Sequence, residues 1–537
     1  MSSGPTSRNL IGDSFGLEEE EPEQMGSKIL PFIKGLNEKQ IFWILFGITF
    51  GLRLYAALMA KGISYDGAGY GFVARDFLRH DFVKGLSSAF HPFYPFLIFL
   101  FSPDTAHVEI TGRFISLLFG TLAIIPLFFL VRKAIGQREA IFSALFYSFH
   151  SYLVTYSGML LTEATYWGLL VLSVYFFWTG LTKEKLWGTV LSGFFLGLAY
   201  LTRPEGIGYV LVYIIWAVVD GGLKKKWFKR FILIGALILT VFIFVVPYVI
   251  YIHQETGQWL ITKKGVSVQS ELLYRTEGKD DQLREKVVEK PKSVVKNSYL
   301  PTIAKNIVQY IPFTTYHYFR AYHFALWLFL FFGLIRTRQN GIKGELFLAS
   351  FVLFHLFSLS TFTKSTIRFS IPLIPLSLFW AGAGVLEIQK YFQRLKISNP
   401  GKWVSFLIIL AILVQLPQSM RPERRHRADQ KHLGLWLKEN TPEDAIIMSN
   451  SPIEAFYGER EFILLPAGVY LPGTPAKSYK EIIQYAREKR VGYILMNKNT
   501  HEFNPDFEAS IRSADLREFK RYKGNDGDWI TVYEVIY

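Results

Sequence analysis

Hydrophobic positions along the chain gather into long uninterrupted blocks, unlike the alternating or one-sided patterns of soluble strands and helices. From residue 41 onward roughly eleven blocks follow one another, at about 41–60, 114–131, 140–159, 161–180, 187–202, 206–219, 231–251, 323–335, 346–361, 369–388 and 403–418. Several approach the ~20 residues with which an α-helix crosses the hydrocarbon core, and the short blocks 206–219 and 323–335 predict a tilt or a break. Residues 1–28 are polar, contain the run Glu18–Glu21 and lack a basic region ahead of an apolar core. They predict a disordered acidic tail, not a cleaved signal peptide. Two long polar loops, 61–112 and 253–322, interrupt the blocks, and the first holds an apolar patch, Phe93–Phe101, too short to span. From about residue 420 the pattern turns α/β: a helix through Leu433, Trp436 and Leu437, a strand at Ala445–Met448, a helix near Ile482–Arg487, a strand at Tyr493–Met496 and a final alternating strand, Trp529–Tyr537. The expected architecture is a mainly α, polytopic membrane protein of about eleven transmembrane helices over 29–419, with a soluble α/β domain over 420–537.

Lysine and arginine collect in every second loop, at Lys34 and Lys39, Arg132 to Arg138, Lys183 and Lys185, Lys224 to Arg230, Arg336 to Lys343, and Lys390 to Lys402. Basic loops stay cytoplasmic, so the N-terminus is expected inside and, after an odd number of crossings, the C-terminal domain outside an inner (plasma) membrane. Composition agrees with a membrane protein: of 537 residues 50% are hydrophobic and 17% aromatic, and only 19% are charged, against about 25% in soluble chains. The net charge of +15 does not point to nucleic acid, because it is spread through short loops and not gathered on one soluble face. With no cysteine, disulfide scaffolds, thiolate nucleophiles and Cys-ligated metals are excluded.

The informative charges stand at the outer ends of the blocks. Asp66 lies in Ser64-Tyr65-Asp66-Gly67-Ala68-Gly69-Tyr70, Glu163 in Leu160-Leu161-Thr162-Glu163, Arg203 and Glu205 flank Pro204, and Lys364 and Arg368 precede the tenth block. With Tyr65, Tyr70, His91 and Tyr94 they share a depth. A charge in a membrane segment costs roughly 2.5–3.5 kcal/mol, so it needs a partner, a cavity or a function. Taken singly, each has a plain alternative: such charges snorkel to headgroups, Arg203 and Glu205 can cap two helices, and Arg113 can anchor at the interface. Together, carboxylates beside cations at a membrane face suit transfer from a lipid-linked sugar phosphate. A carboxylate takes the proton of the attacking hydroxyl, and Lys or Arg meets the charge growing on the departing phosphate.

These residues resemble the polytopic glycosyltransferases of the C superfamily, in the bacterial group of protein O-mannosyltransferases and the lipid A aminoarabinose transferase. The resemblance covers about 40–390. It is carried by Asp66 with Tyr70 and Ala74-Arg75, His91-Pro92-Phe93-Tyr94-Pro95, the stretch Arg113 to Gly120, Tyr156-Ser157-Gly158 leading to Thr162-Glu163, the stretch Gly197 to Gly206, and Arg368-Phe369 with Pro372 and Pro375. It implies that Asp66 is the base and Glu163 a second carboxylate that orients a sugar. Arg368, with Lys364 and Arg203, holds the lipid phosphate, and Tyr65, Tyr70, His91, Tyr94 and Glu205 lie toward sugar or acceptor. The donor is a polyprenyl-phosphate sugar, used with inversion on the outer face, and the acceptor a lipid, glycan or protein. Many relatives carry Asp-Glu where this chain has Asp66-Gly67, so that second acid is missing. No metal signature or cofactor is legible, although outer carboxylates can bind a divalent ion as readily as act as bases. A flippase or transporter would place polar groups near the midplane with paired repeats, and none is visible; a polymerase or ligase of whole lipid-linked glycans would use similar outer cations.

Overall fold

The structure, a computed structural model, describes residues 35–264, 299–336, 342–362, 366–421, 427–465, 478–497, 506–524 and 529–537. The acidic tail 1–28 and Lys364 lie outside the described residues, as does much of the loop 253–322.

Every apolar block is helical, and among the described residues eight helices are long and apolar enough to cross a membrane: Glu38–Met59, Val108–Ala134, Glu163–Lys183, Pro204–Gly222, Trp227–Thr256, Ile342–Thr361, Ile367–Arg394 and Pro400–Met420. The other three expected spans are shorter or broken. Leu186–Thr202 is a single apolar helix, Lys305–Tyr322 and Phe324–Ile335 meet at a bend of 80°, and block 140–159 divides at His150 into Gln137–Phe149 and Ser151–Ser157. The break at His150 frees backbone carbonyls inside the bundle, where no water is at hand to satisfy them. Arg53, fully buried on the first span, donates to the carbonyls of Tyr147 (3.2 Å) and Ser148 (3.4 Å) and lies 4.6 Å from the centre of the Tyr147 ring.

The basic loop residues meet at one end of the bundle. Arg132 pairs with Glu38 (3.1 Å), Lys226 and Lys229 with Glu184 (2.6 and 3.2 Å), Arg336 with Glu345 (3.1 Å), and Arg230 and Lys343 both with Asp220.

Between the first two spans, helix Tyr65–Leu78 and the apolar helix Phe93–Phe101 fold over the bundle end opposite those basic loops. The C-terminal part is a five-stranded sheet of β1 (Ile446–Ser449), β2 (Glu461–Leu464), β3 (Tyr493–Asn497), β4 (Leu516–Lys523) and β5 (Trp529–Val535), in the order β2-β1-β3-β5-β4. β1 runs parallel to β2 and β3, and β5 is antiparallel to both β3 and β4. Side-chain alternation splits its core into two layers. Met448, Ile494 and Met496 face Ile482 and Ile483 of helix Tyr479–Glu488, whereas Ile447 and Leu495 face Leu433 and Leu437 of helix Ala428–Asn440. A further core joins this domain to helix Tyr65–Leu78, with Ile453, Phe456 and Tyr457 packed among Ile63, Ala68, Tyr70 and Ala74.

Candidate active site

Local sequence places each charge at a helix terminus. Ser64 caps helix Tyr65–Leu78, its hydroxyl accepting from the Gly67 amide at 2.9 Å, which puts Asp66 in the first turn. Glu163 opens helix Glu163–Lys183, and Glu205 lies in the first turn of the 3₁₀ segment Pro204–Gly208. The positive end of the backbone dipole favours an acid at such a start. Arg203 precedes a proline and is held extended (φ −151°, ψ 133°), which ends helix Leu186–Thr202 and turns its side chain aside. Arg368 sits in the one-turn helix Ile367–Ser370, ahead of the span through Ile374–Arg394.

These five termini converge. The Arg368 guanidinium donates to Asp66 through Nη1 and to Glu163 through Nε. Glu163 Oε1 also accepts from Arg203 Nη1 at 3.0 Å, and Arg203 Nη2 donates to Glu205 at 3.2 Å. The result is one alternating chain of acid, base, acid, base, acid. Its interior is dry: Glu163 is fully buried and Arg203 nearly so, while Asp66 and Arg368 keep side-chain exposures of 39% and 24%. The chain therefore runs from a buried floor to an open rim. Rings of Tyr166 and Phe369 flank Arg203 at 5.7 and 5.4 Å. Glu163 Oε2 and Glu205 Oε2 are buried and accept no hydrogen bond from the described protein residues.

The expected aromatic and histidine residues take different places. Tyr70 lines the wall beside Glu163, its hydroxyl 3.3 Å from Thr162 Oγ1, and burial raises its phenol above the ordinary range. Tyr65 is half-buried at the helix start, next to Asp66. His91 is buried against the rings of Tyr200 (5.4 Å) and Tyr248 (5.2 Å); burial, then the charge of Lys264, pushes its imidazole down to about 3, so it is neutral at physiological pH. Tyr94 lies behind the turn, not in the crevice. Its hydroxyl donates to the Gly112 carbonyl at 2.8 Å and meets Ser116 Oγ at 2.9 Å, and Ser116 in turn holds the Leu161 carbonyl at 3.0 Å. Tyr94 thus shapes the turn that presents Glu163.

One cation escaped sequence reasoning. Lys264 stands at the rim with part of its surface exposed, and desolvation of its ammonium, then the charge of Arg203, pulls it below the usual lysine range against the attraction of Glu205 and Asp66. The signal was the pair Lys263-Lys264, which stands in a loop outside the alternating set that collects the other basic residues. Among the described residues no group of three or more His, Asp or Glu side chains is disposed to hold a metal ion.

The family model described as dolichyl-phosphate-mannose-protein mannosyltransferase matches residues 90–251, a stretch that includes Glu163, Arg203 and Glu205. No curated protein matches the chain by sequence. Among solved structures, ArnT from Cupriavidus metallidurans bound to undecaprenyl phosphate superposes over 91% of this chain and 97% of its own, at 11% identity and a TM-score of 0.56. The archaeal oligosaccharyltransferase AglB from Archaeoglobus fulgidus, in complex with an inhibitory peptide and a dolichol-phosphate, matches 93% of this chain and 74% of its own, at 13% identity and a TM-score of 0.54. The chain has the fold of the C-superfamily glycosyltransferases. In this chain a multi-pass bundle carries helices Tyr65–Leu78 and Phe93–Phe101 and the C-terminal sheet, and the five converging termini lie where the bundle meets helix Tyr65–Leu78.

Proposed function

We propose that the protein is a membrane glycosyltransferase that moves a sugar from a polyprenyl-phosphate donor to a hydroxyl of a lipid, glycan or protein, with inversion, on the extracytoplasmic face of the plasma membrane. The observation that carries this reading is the single guanidinium of Arg368 joined to both Asp66 and Glu163. Arginine presents a planar fork that fits phosphate as well as carboxylate. An arriving lipid phosphate competes for that fork, and its capture by Arg368, with Lys264 and Arg203 near, releases Asp66 to act as base. The acceptor oxygen then attacks the anomeric carbon, Asp66 takes the hydroxyl proton, and the bond from anomeric carbon to phosphate oxygen breaks with its electron pair on the phosphate. The buried oxygens Glu163 Oε2 and Glu205 Oε2 suit sugar hydroxyls, since leaving a buried acceptor unpaired costs about 1–3 kcal/mol. Basic loops gathered at the far end of the bundle support an inside N-terminus and an outside site.

The test uses purified protein, undecaprenyl phosphate as a binding probe, and a panel of polyprenyl-phosphate sugars as donors. Asp66→Asn is expected to bind undecaprenyl phosphate at least as well as the wild type while transfer falls by ~10²–10⁴-fold. Unchanged transfer in Asp66→Asn removes the base, and lipid movement across vesicles without transfer would favour a flippase.

A further inference from the structure

Helix Tyr65–Leu78 is a weak carrier for a residue that must be held in place. It contains Gly67, Gly69 and Gly71 in its first two turns, and each glycine disfavours helix by about 1 kcal/mol relative to alanine. Its support comes from elsewhere in the chain. At Gly71 a Cβ would lie 2.3 Å from the Phe456 ring, so the C-terminal domain seats directly on the helix backbone. One turn later Arg75, only 4% exposed, donates to the Phe456 carbonyl at 2.6 Å and to the Thr105 carbonyl at 3.1 Å, and its guanidinium stacks 4.0 Å from the centre of the Phe456 ring. Phe72 adds a stacked contact with Phe462 of β2.

A second grip holds the other end of the segment. Glu109 accepts from Tyr457 at 3.0 Å, from Lys431 at 3.1 Å and from Arg113, and Arg113 donates to the carbonyls of Ala57 (3.1 Å) and Ala60 (2.9 Å), just before Asp66. The chain entering and the helix leaving Asp66 are thus both fastened to one remote domain. By contrast, Arg368 and Arg203 stand on elements packed within the bundle: Ile367–Ser370 lies against helix Tyr299–Tyr322, and Leu186–Thr202 against Glu163–Lys183 and Trp227–Thr256.

We propose that the C-terminal α/β domain is a brace that sets the Asp66 carboxylate, acting through Arg75 and Phe456 as positioning residues. This rests on the reading of Asp66 as base and adds to the domain a part in the reaction. Loosening the brace moves the acid but leaves the phosphate cations where they are. A misplacement of about 1 Å at a reacting group costs as much as a hundredfold in rate.

The experiment uses the full chain in nanodiscs and three measurements: amide exchange over residues 65–78, affinity for undecaprenyl phosphate, and release of undecaprenyl phosphate from a saturating undecaprenyl-phosphate sugar as its glycosyl group passes to an added hydroxyl acceptor or to water. Arg75→Ala is expected to speed exchange in 65–78, to leave undecaprenyl phosphate affinity within about twofold, and to slow release by roughly ten- to a hundredfold. Arg75→Lys should recover part of the rate, because an ammonium still reaches the Phe456 carbonyl but cannot serve Thr105 and stack as well. If Arg75→Ala does not fold, Phe456→Leu keeps most of the volume, removes the stacking, and carries the same expectations. Unaltered exchange in 65–78, or a loss of affinity in step with the loss of rate, overturns the brace. If the wild type itself ignores undecaprenyl phosphate, the reading of the site fails, while the exchange data still decide whether the domain holds the helix.

Discussion

Arg368 serves two acids with one guanidinium, and a lysine at that position can supply a point charge but no fork. Arg368→Lys is therefore expected to weaken undecaprenyl phosphate binding by about 1.5–3 kcal/mol, or roughly ten- to a hundredfold, as read by titration calorimetry. Binding equal to the wild type would show that the phosphate does not use this group. Arg53 illustrates a charge with a different task. It caps the carbonyls exposed where the chain breaks at His150, so Arg53→Leu should lower thermal stability by about 1–3 kcal/mol for each carbonyl left unpaired. An undiminished melting temperature in detergent would contradict that account. Sequence alone singled out Asp66, Glu163, Arg203, Glu205 and Arg368, since a charge beside an apolar block is locally conspicuous. It did not separate Tyr94, spent on the Gly112 carbonyl, from Tyr70, beside Glu163, because both are tyrosines at one depth and only their neighbours differ.

Helix Tyr65–Leu78 concentrates the constraints of one element. Position 67 leaves no room for a side chain: a Cβ on Gly67 would lie 2.8 Å from the Leu160 carbonyl oxygen and 3.1 Å from Ser64 Oγ. Gly67→Glu is thus expected to destabilise by about 1–3 kcal/mol, measured by thermal melting, and not to add a working acid. Near the other end, burial raises Asp76 from 3.8 to about 6, against the pull of Lys84 and Arg79 and with help from Asp81 and Glu461. The folded form then keeps a proton that the unfolded chain has already lost. The contribution of Asp76 to stability accordingly falls as pH rises from about 4 to about 6 and stays low above that. Asp76→Asn should raise the melting temperature at pH 7 and make little difference at pH 4; the reverse order would show that its pair with Lys84 dominates. The apolar blocks foretold helices well, because twenty apolar residues have few other uses. They foretold breaks poorly, since nothing local to His150 or His323 announces that the helix stops there; the partners that permit it, such as Arg53, come from distant spans.

At the scale of the whole molecule, the candidate site is built by residues far apart in the chain: Asp66 and Arg368 are separated by 302 positions yet share an ion pair. Periodicity reports which residues face a core but not which helices lie side by side, so convergence was an expectation that only the three-dimensional arrangement could meet. The C-terminal sheet was likewise legible as alternating strands, while its seat on helix Tyr65–Leu78 was not, because Phe456 and Arg75 bear no mark of each other. The most direct measurement is a structure with undecaprenyl phosphate bound. Phosphate oxygens about 3 Å from Arg368, with Asp66 detached from that guanidinium and facing the same space, is the expected result. Phosphate lodged elsewhere, with the pair between Asp66 and Arg368 intact, would contradict the assignment.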